Sequence, residues 1–123
     1  MVHRSSVLIV DRSAEYREVL RTALERRGVR IFEAARADAG LTLARRHRPE
    51  VVVLDLDLAA ADETASPQDF ANWANGGGYS LILLGTARRH ATASPGEFIA
   101  KPYHYQPLVL KIEQLLRQPR QPL

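Results

Sequence analysis

The sequence predicts a doubly wound, three-layer α/β domain on a five-stranded parallel sheet. Apolar runs of strand length recur at 7–10, 29–32, 51–54 and 81–84, with a weaker fifth at 98–100. They are apolar on both faces instead of alternating, which suits parallel strands covered by helices on each side. Helical periods lie between them, so the order is strand then helix five times over, and right-handed crossovers distribute the helices over both faces.

The elements follow in order. After the first strand, Tyr16, Val19, Leu20, Ala23 and Leu24 fall at helical spacing, with Ser13 placed to cap the helix and Gly28 to stop it. Residues 37–47 repeat the pattern with Leu41, Leu43 and Ala44, and Pro49 bars that helix from running into the next strand. Ser66-Pro67 opens a third helix that passes Trp73 and ends before the glycines at 76–78. Between the fourth and fifth strands only residues 86–96 remain, near the minimum of about 10 to 12 for a complete crossover. Ser94-Pro95-Gly96 is turn chemistry, so a helix there covers at most 88–93 and is stunted or missing. The last helix runs from Gln106-Pro107 to Arg117 with Leu108, Ile112, Leu115 and Leu116 on one stripe. One domain over 1–118 and a flexible Pro-containing tail over 119–123 result.

Composition narrows the function. A chain of 123 residues, 46% hydrophobic and 25% charged, is long enough for one core and too short for two domains. With no cysteine, disulfides, thiolate metal sites and thiol nucleophiles drop out together. Four apolar residues before Asp11 are too few for a signal-peptide core, and no run approaches the about 20 needed to cross a bilayer, so a cytoplasmic, membrane-free protein is expected. Net charge is +3, but the arginines fall in pairs (Arg26-Arg27, Arg45-Arg46, Arg88-Arg89) among Glu15, Glu18 and Glu25 without a basic stripe carrying aromatics. They read as solvated helix faces, and direct nucleic-acid binding is not expected. Only Lys101 and Lys111 of the 17 cations are lysine, which makes the choice of lysine informative. His3, His47, His90 and His104 lack metal-ligand spacing and read as surface residues.

In doubly wound sheets the ligand site lies beyond the carboxyl ends of the strands. That rule collects Asp11 after the first strand, Asp55 and Asp57 after the third, Thr86 after the fourth and Lys101 after the fifth. Any one of them alone is commonly a turn or cap residue, and Thr86 is at home at a strand end in any such fold. Together they supply what phosphoryl transfer to an aspartate needs. One carboxylate oxygen attacks, Mg²⁺ on a second acid and a lysine ammonium hold the phosphoryl oxygens, and a hydroxyl takes one hydrogen bond.

The stretches VLIVDRS, FEAARADAGLTLARRHRPEVVVLDLDL, LILLGTA and FIAKP resemble, in order and spacing, the receiver domain of two-component response regulators over essentially the whole chain. The resemblance implies a flavodoxin-like or CheY-like sheet of order 2-1-3-4-5. It implies Asp55 as phosphoacceptor, Asp11 as an acid of a magnesium pocket, and Asp57 as a donor of its backbone carbonyl with an uncommitted side chain. It further implies Thr86 as the hydroxyl that reads the phosphoryl group, Lys101 as its ion-pair partner, Phe98 as an aromatic switch, and a cis peptide at Lys101-Pro102. The implied partners are a histidine kinase or phosphotransfer protein and an output protein. No enzyme activity is implied beyond self-catalysed phosphorylation and dephosphorylation.

Three departures bear on that function. Arg12 stands where the family usually has a second metal-binding acid, a change of two charge units beside the ion, so Mg²⁺ should be held weakly and phosphorylation of Asp55 impaired. The loop at 59–63, AAADE, lacks the proline and glycine usual there. The shortened fourth helix removes part of the surface through which most receivers dimerise or signal, leaving the oligomeric state open. The main alternative is therefore a degenerate receiver that works as a protein-interaction module without phosphorylation. In that pocket the Arg12 guanidinium would bond phosphoryl oxygens or pair with Asp11 or Asp55. A remote alternative resembles haloacid-dehalogenase-type phosphatases through the Asp-x-Asp of VVVLDLDLA, but two strands precede Asp55 and the only acid after Lys101 is Glu113, inside a helix stripe. No output domain follows Arg117, so the chain is expected to act alone or to continue through a linker beginning at RQPRQPL.

Overall fold

The computed structural model describes residues 5–61, 65–76, 78–86 and 96–118. The elements are β1 (Ser6–Val10), α1 (Ala14–Glu25), β2 (Arg30–Ala34), α2 (Ala37–His47), β3 (Val51–Asp55), α3 (Leu56–Ala61), α4 (Pro67–Asn75), β4 (Ser80–Gly85), β5 (Glu97–Ala100) and α5 (Tyr105–Arg117). All four strand pairings are parallel, and the sheet order is β2-β1-β3-β4-β5. The shortened crossover helix expected at 88–93, and the tail at 119–123, lie outside the described residues.

The central strands feed two cores at once. Leu8, Val10, Val52, Leu54, Leu81 and Leu83 point to one face and pack with Ala37, Leu41 and Ala44 of α2, Leu56 of α3 and Phe70 of α4. Val7, Ile9, Val51, Val53, Ile82 and Leu84 point to the other and meet Leu20 and Leu24 of α1 and Leu108, Val109 and Ile112 of α5. Side chains alternate across a strand, so continuous apolar runs are what a sheet buried on both faces requires. Each such fully buried side chain stabilises the fold by roughly 1.5–3 kcal/mol. The edge strands depart from that pattern: β2 exposes Arg30 and β5 exposes Ala100, each strand having a neighbour on one side only.

Local signals explain the helix ends. Ser13 caps α1, its side chain accepting from the backbone N–H of Tyr16 at 3.3 Å. Gly28 after that helix takes φ +81°, a left-handed turn that glycine adopts without strain. Gly40 lets α2 close on β1; a Cβ there would lie 2.7 Å from Cγ2 of Val10. Ser66 and Asp69 form a reciprocal capping box at the start of α4, with Pro67 in its first turn.

One expectation is corrected. The loop expected after β3 is helical through Ala61 as α3, since Leu56, Leu58 and Ala59 all bury against the core and alanine favours helix. The apolar series of α1 is not buried throughout: Leu20 and Leu24 are, whereas Tyr16 and Val19 are exposed. Both lie in the first half of α1, which follows the carboxyl end of β1.

Candidate functional site

β1 and β3 are neighbours in register, Val10 opposite Leu54, so the residues that follow, Asp11 and Asp55, emerge side by side. They are the buried acids among the described residues, 5% and 7% exposed. Each commits one carboxylate oxygen to its own turn: Oδ1 of Asp11 accepts from the Ser13 N–H at 2.8 Å, and Oδ1 of Asp55 accepts from the Asp57 N–H at 2.9 Å. This is ordinary turn and cap chemistry for aspartate. It fixes both side chains while leaving Oδ2 of each without a hydrogen bond among the described residues.

The electrostatics follow from that crowding. Burial pushes the Asp11 carboxyl above its ordinary value and the Asp55 charge adds to it, while the Ser13 N–H, Lys101 and Arg17 pull it back. A cation beside the two acids would relieve this cost. Lys101 does so in part, its Nζ lying 2.8 Å from Oδ1 of Asp55 and 3.0 Å from Oδ2 of Asp57. Burial works to lower the Lys101 pKa, but the hydrogen bonds and charges of the two aspartates outweigh it and the net shift is upward. Lys101 is held by the sheet itself, its N–H donating to the Gly85 carbonyl at 2.7 Å, and the Lys101-Pro102 peptide is cis, as the resemblance implied.

A cleft of about 330 Å³ opens over the acids, lined by Asp11, Arg12, Ser13, Tyr16, Asp55, Asp57 and Leu58. Arg12 lines it but is exposed and pairs with neither Asp11 nor Asp55 among the described residues, so the expected alternative of an internal arginine clamp on either acid is not what the structure adopts. The Asp57 side chain, expected to be uncommitted, is instead bound to Lys101. Helix α3 accounts for this: it starts immediately after Asp55 and swings the Asp57 carboxylate toward the lysine. The same helical backbone turns the Asp57 carbonyl along the helix axis.

Thr86 directly follows β4 and is exposed. Phe98 lies in β5 opposite Leu83 and packs half-buried against the α4 side of the core. Thus Asp11, Asp55, Asp57 and Lys101 are brought together with Arg12 at their rim, while Thr86 directly follows β4 and Phe98 lies within β5.

Two features escaped the sequence reading. Arg17 donates to the backbone carbonyl of Asp11 and pairs with Glu33 of β2 at 3.1 Å. In a chain with this many arginines it looked like one more solvated cation. Tyr16, Tyr103 and Tyr105 form an aromatic group with ring centroids 5.7–6.4 Å apart. The Tyr103 hydroxyl is buried without a partner among the described residues, and burial, then the nearby Asp11 charge, holds the phenol protonated well above its ordinary range. Tyr16 lies in α1, while Tyr103 and Tyr105 follow Lys101-Pro102, so the group is a tertiary meeting that no local period flags.

Among the described residues no three His or acidic side chains converge on one point as a metal cage. The available donors are the Oδ2 atoms of Asp11 and Asp55. Mg²⁺ is commonly held by one or two carboxylates with waters completing its shell, so this pair fits a loosely held ion. Such an ion would supply charge neutralisation to an incoming phosphoryl group.

Comparison with known proteins agrees with this fold. Residues 7–113 match the response regulator receiver domain family. The KDP operon transcriptional regulatory protein KdpE of Escherichia coli is 29% identical over 120 residues, covering 93% of this chain and 52% of that protein. The probable transcriptional regulatory protein TcrX of Mycobacterium tuberculosis is 29% identical over 123 residues, 92% of this chain and 50% of its own. The chain thus spans about half the length of these curated relatives. Among solved structures, the Francisella response regulator 1452 receiver domain superposes with TM-score 0.76 at 17% identity over 93% of this chain and 98% of its own. A response regulator from Thermotoga maritima does so with TM-score 0.75 at 17% identity over 94% and 100%.

Proposed function

The chain belongs to the response regulator receiver domain family, and on that premise we propose that it accepts a phosphoryl group on Asp55 from a histidine kinase or phosphotransfer protein. The observation that carries the proposal is the Lys101 ammonium 2.8 Å from Oδ1 of Asp55, with Oδ2 left open to the cleft beside Asp11. In the transfer, Oδ2 forms a new bond to phosphorus as the bond from phosphorus to the donor's leaving group breaks, and the leaving group departs with the electron pair. Lys101 then neutralises the phosphoryl oxygens, and Thr86 and Phe98 respond to the new group; Asp11 and Asp55 would hold an Mg²⁺ ion, which would supply further charge neutralisation there.

Arg12 sets the strength of the metal step in this reading. A cation at the rim repels Mg²⁺, and Coulomb energies near a partly dry cleft exceed those in water several-fold. Metal-dependent phosphorylation is therefore weaker than in a receiver with an acid there. The exposed Arg12 over the cleft also favours a second reading, an interaction module that signals without phosphorylation. Kinase coupling goes with a cytoplasmic location; no helix among the described residues is long and apolar enough to cross a membrane. Because the relatives are about twice as long, output partners and any activity of a whole protein belong to the proposal as well.

The test is incubation with acetyl phosphate and Mg²⁺ followed by intact mass measurement. A gain of one phosphoryl group that Asp55→Asn abolishes supports the proposal. No gain at saturating donor and metal sinks it in favour of the interaction module.

A further inference from the structure

We infer that Arg17, acting through Glu33, is a positioning residue for the acidic pocket: it locks the Asp11 peptide so that the Asp11 carboxylate faces Asp55 and Arg12 is turned to the rim. The inference rests on the reading that Asp11 and Asp55 hold the ion. Asp11 is gripped at three points. Its N–H donates to the Ala34 carbonyl at 3.0 Å, its Oδ1 accepts from the Ser13 N–H at 2.8 Å, and its carbonyl accepts from the Arg17 guanidinium. The carbonyl belongs to the peptide that joins Asp11 to Arg12, so the contact sets the direction in which the chain leaves β1. Without it, that peptide faces the end of the sheet with one acceptor unmatched.

The arginine is itself held. Its Nε lies 3.1 Å from Oε1 of Glu33, and Arg21, one helical turn on, donates to Oε2 of the same carboxylate at 2.6 Å. Glu33 precedes Ala34, the residue whose carbonyl receives the Asp11 N–H. Two successive residues of β2 therefore hold Asp11, one through backbone and the other through the Arg17 side chain. With Arg17 16% and Glu33 25% exposed, the pair is shielded enough for its charge-assisted bonds to fix geometry, unlike a fully solvated ion pair. A lysine at position 17 has no fork to reach the carbonyl and the carboxylate together.

The experiment compares Arg17→Met, Arg17→Lys and Glu33→Gln in the full chain by two readouts, the Mg²⁺ dissociation constant from calorimetry and amide hydrogen exchange by NMR. Arg17→Met is expected to weaken Mg²⁺ about tenfold, the scale seen when a group orienting a metal ligand is lost. The Ser13 amide should exchange faster while Val53, in the sheet core, is unchanged. Arg17→Lys should behave like Arg17→Met, and Glu33→Gln should show a smaller loss in the same direction. A folded Arg17→Met with wild-type Ser13 exchange overturns the inference, as does acceleration that is equal at Ser13 and Val53 and so reports only global stability. If Arg17→Met does not fold, Glu33→Gln decides by the same comparison. Absence of Mg²⁺ binding to the unaltered protein would remove the metal reading, and Ser13 exchange would still decide whether Arg17 positions the Asp11 turn.

Discussion

The ammonium of Lys101 lies 3.0 Å from Oδ2 of Asp57 as well as 2.8 Å from Oδ1 of Asp55, so one cation serves two carboxylates at the mouth of the cleft. A phosphoryl group on Asp55 would have to share Lys101 with Asp57. Asp57→Asn removes the competing charge and the repulsion it exerts, and the lifetime of phosphorylated Asp55 should lengthen about three- to tenfold. That corresponds to about 1 kcal/mol, discounted because the Asp57 side chain is 35% exposed. Intact mass followed over time after removal of acetyl phosphate checks it.

Arg12→Asp restores an acid beside the two buried carboxylates and reverses the local charge by two units. Mg²⁺ affinity should rise at least tenfold, as the removal of a repelling cation and the addition of a ligand act in the same direction. A calorimetric titration unchanged from the parent protein would clear Arg12 of responsibility for weak binding.

Asp11→Asn should stabilise the protein at neutral pH in the absence of metal. Asparagine keeps an oxygen for the Ser13 N–H and carries no charge into the pocket. The sign follows from the upward shift of the Asp11 carboxyl, caused first by burial. With its folded pKa above the unfolded one, the native state binds more protons between the two values, and Asp11 lowers stability as pH rises through that window. The melting temperature of Asp11→Asn should exceed the parent by a few degrees at pH 7, about 1 kcal/mol, and the gap should narrow as the pH falls toward 4. A gap that widens on acidification would contradict the assignment.

Gly40→Ala should destabilise, contrary to the usual gain of about 1 kcal/mol from alanine within a helix. The new methyl would sit 2.7 Å from a stiff, fully buried Val10 side chain, and overpacking of this kind costs roughly 1–3 kcal/mol. Chemical denaturation should show a net loss near 1 kcal/mol, and because Val10→Ala relieves the clash, the double variant should lose less than the sum of the two single variants.

The sheet was legible because both parities of each central strand are apolar; Val51, Val52 and Val53 alone announce a strand covered on both sides. The site followed from the strand ends, which put Asp11, Asp55 and Lys101 at one mouth as expected. What escaped depends on tertiary context. Helix α3 begins without a break after Asp55, because Leu56, Leu58 and Ala59 bury against the core and the alanine run favours helix. The Asp57 contact with Lys101 is a product of that helix and has no signature of its own. Arg17 acts on a backbone atom, which no residue pattern records. Tyr16 is exposed although it keeps the helical period of the buried Leu20, a difference that the period does not record.

The oxygen of Asp55 that caps the first turn of α3 belongs to the same carboxyl group that would carry the phosphoryl group. Esterification at Oδ2 would convert Oδ1 from half of an anion into a plain carbonyl, and hydrogen bonds to charged acceptors are roughly twice as strong as neutral ones. The Asp57 N–H would thus lose part of its anchor in the same event that alters the lysine's partners. Helix α3 is wired to the chemical state of the acid one residue ahead of it, so the earliest mechanical report of phosphorylation would be a loosened helix start, ahead of any response from Thr86 or Phe98.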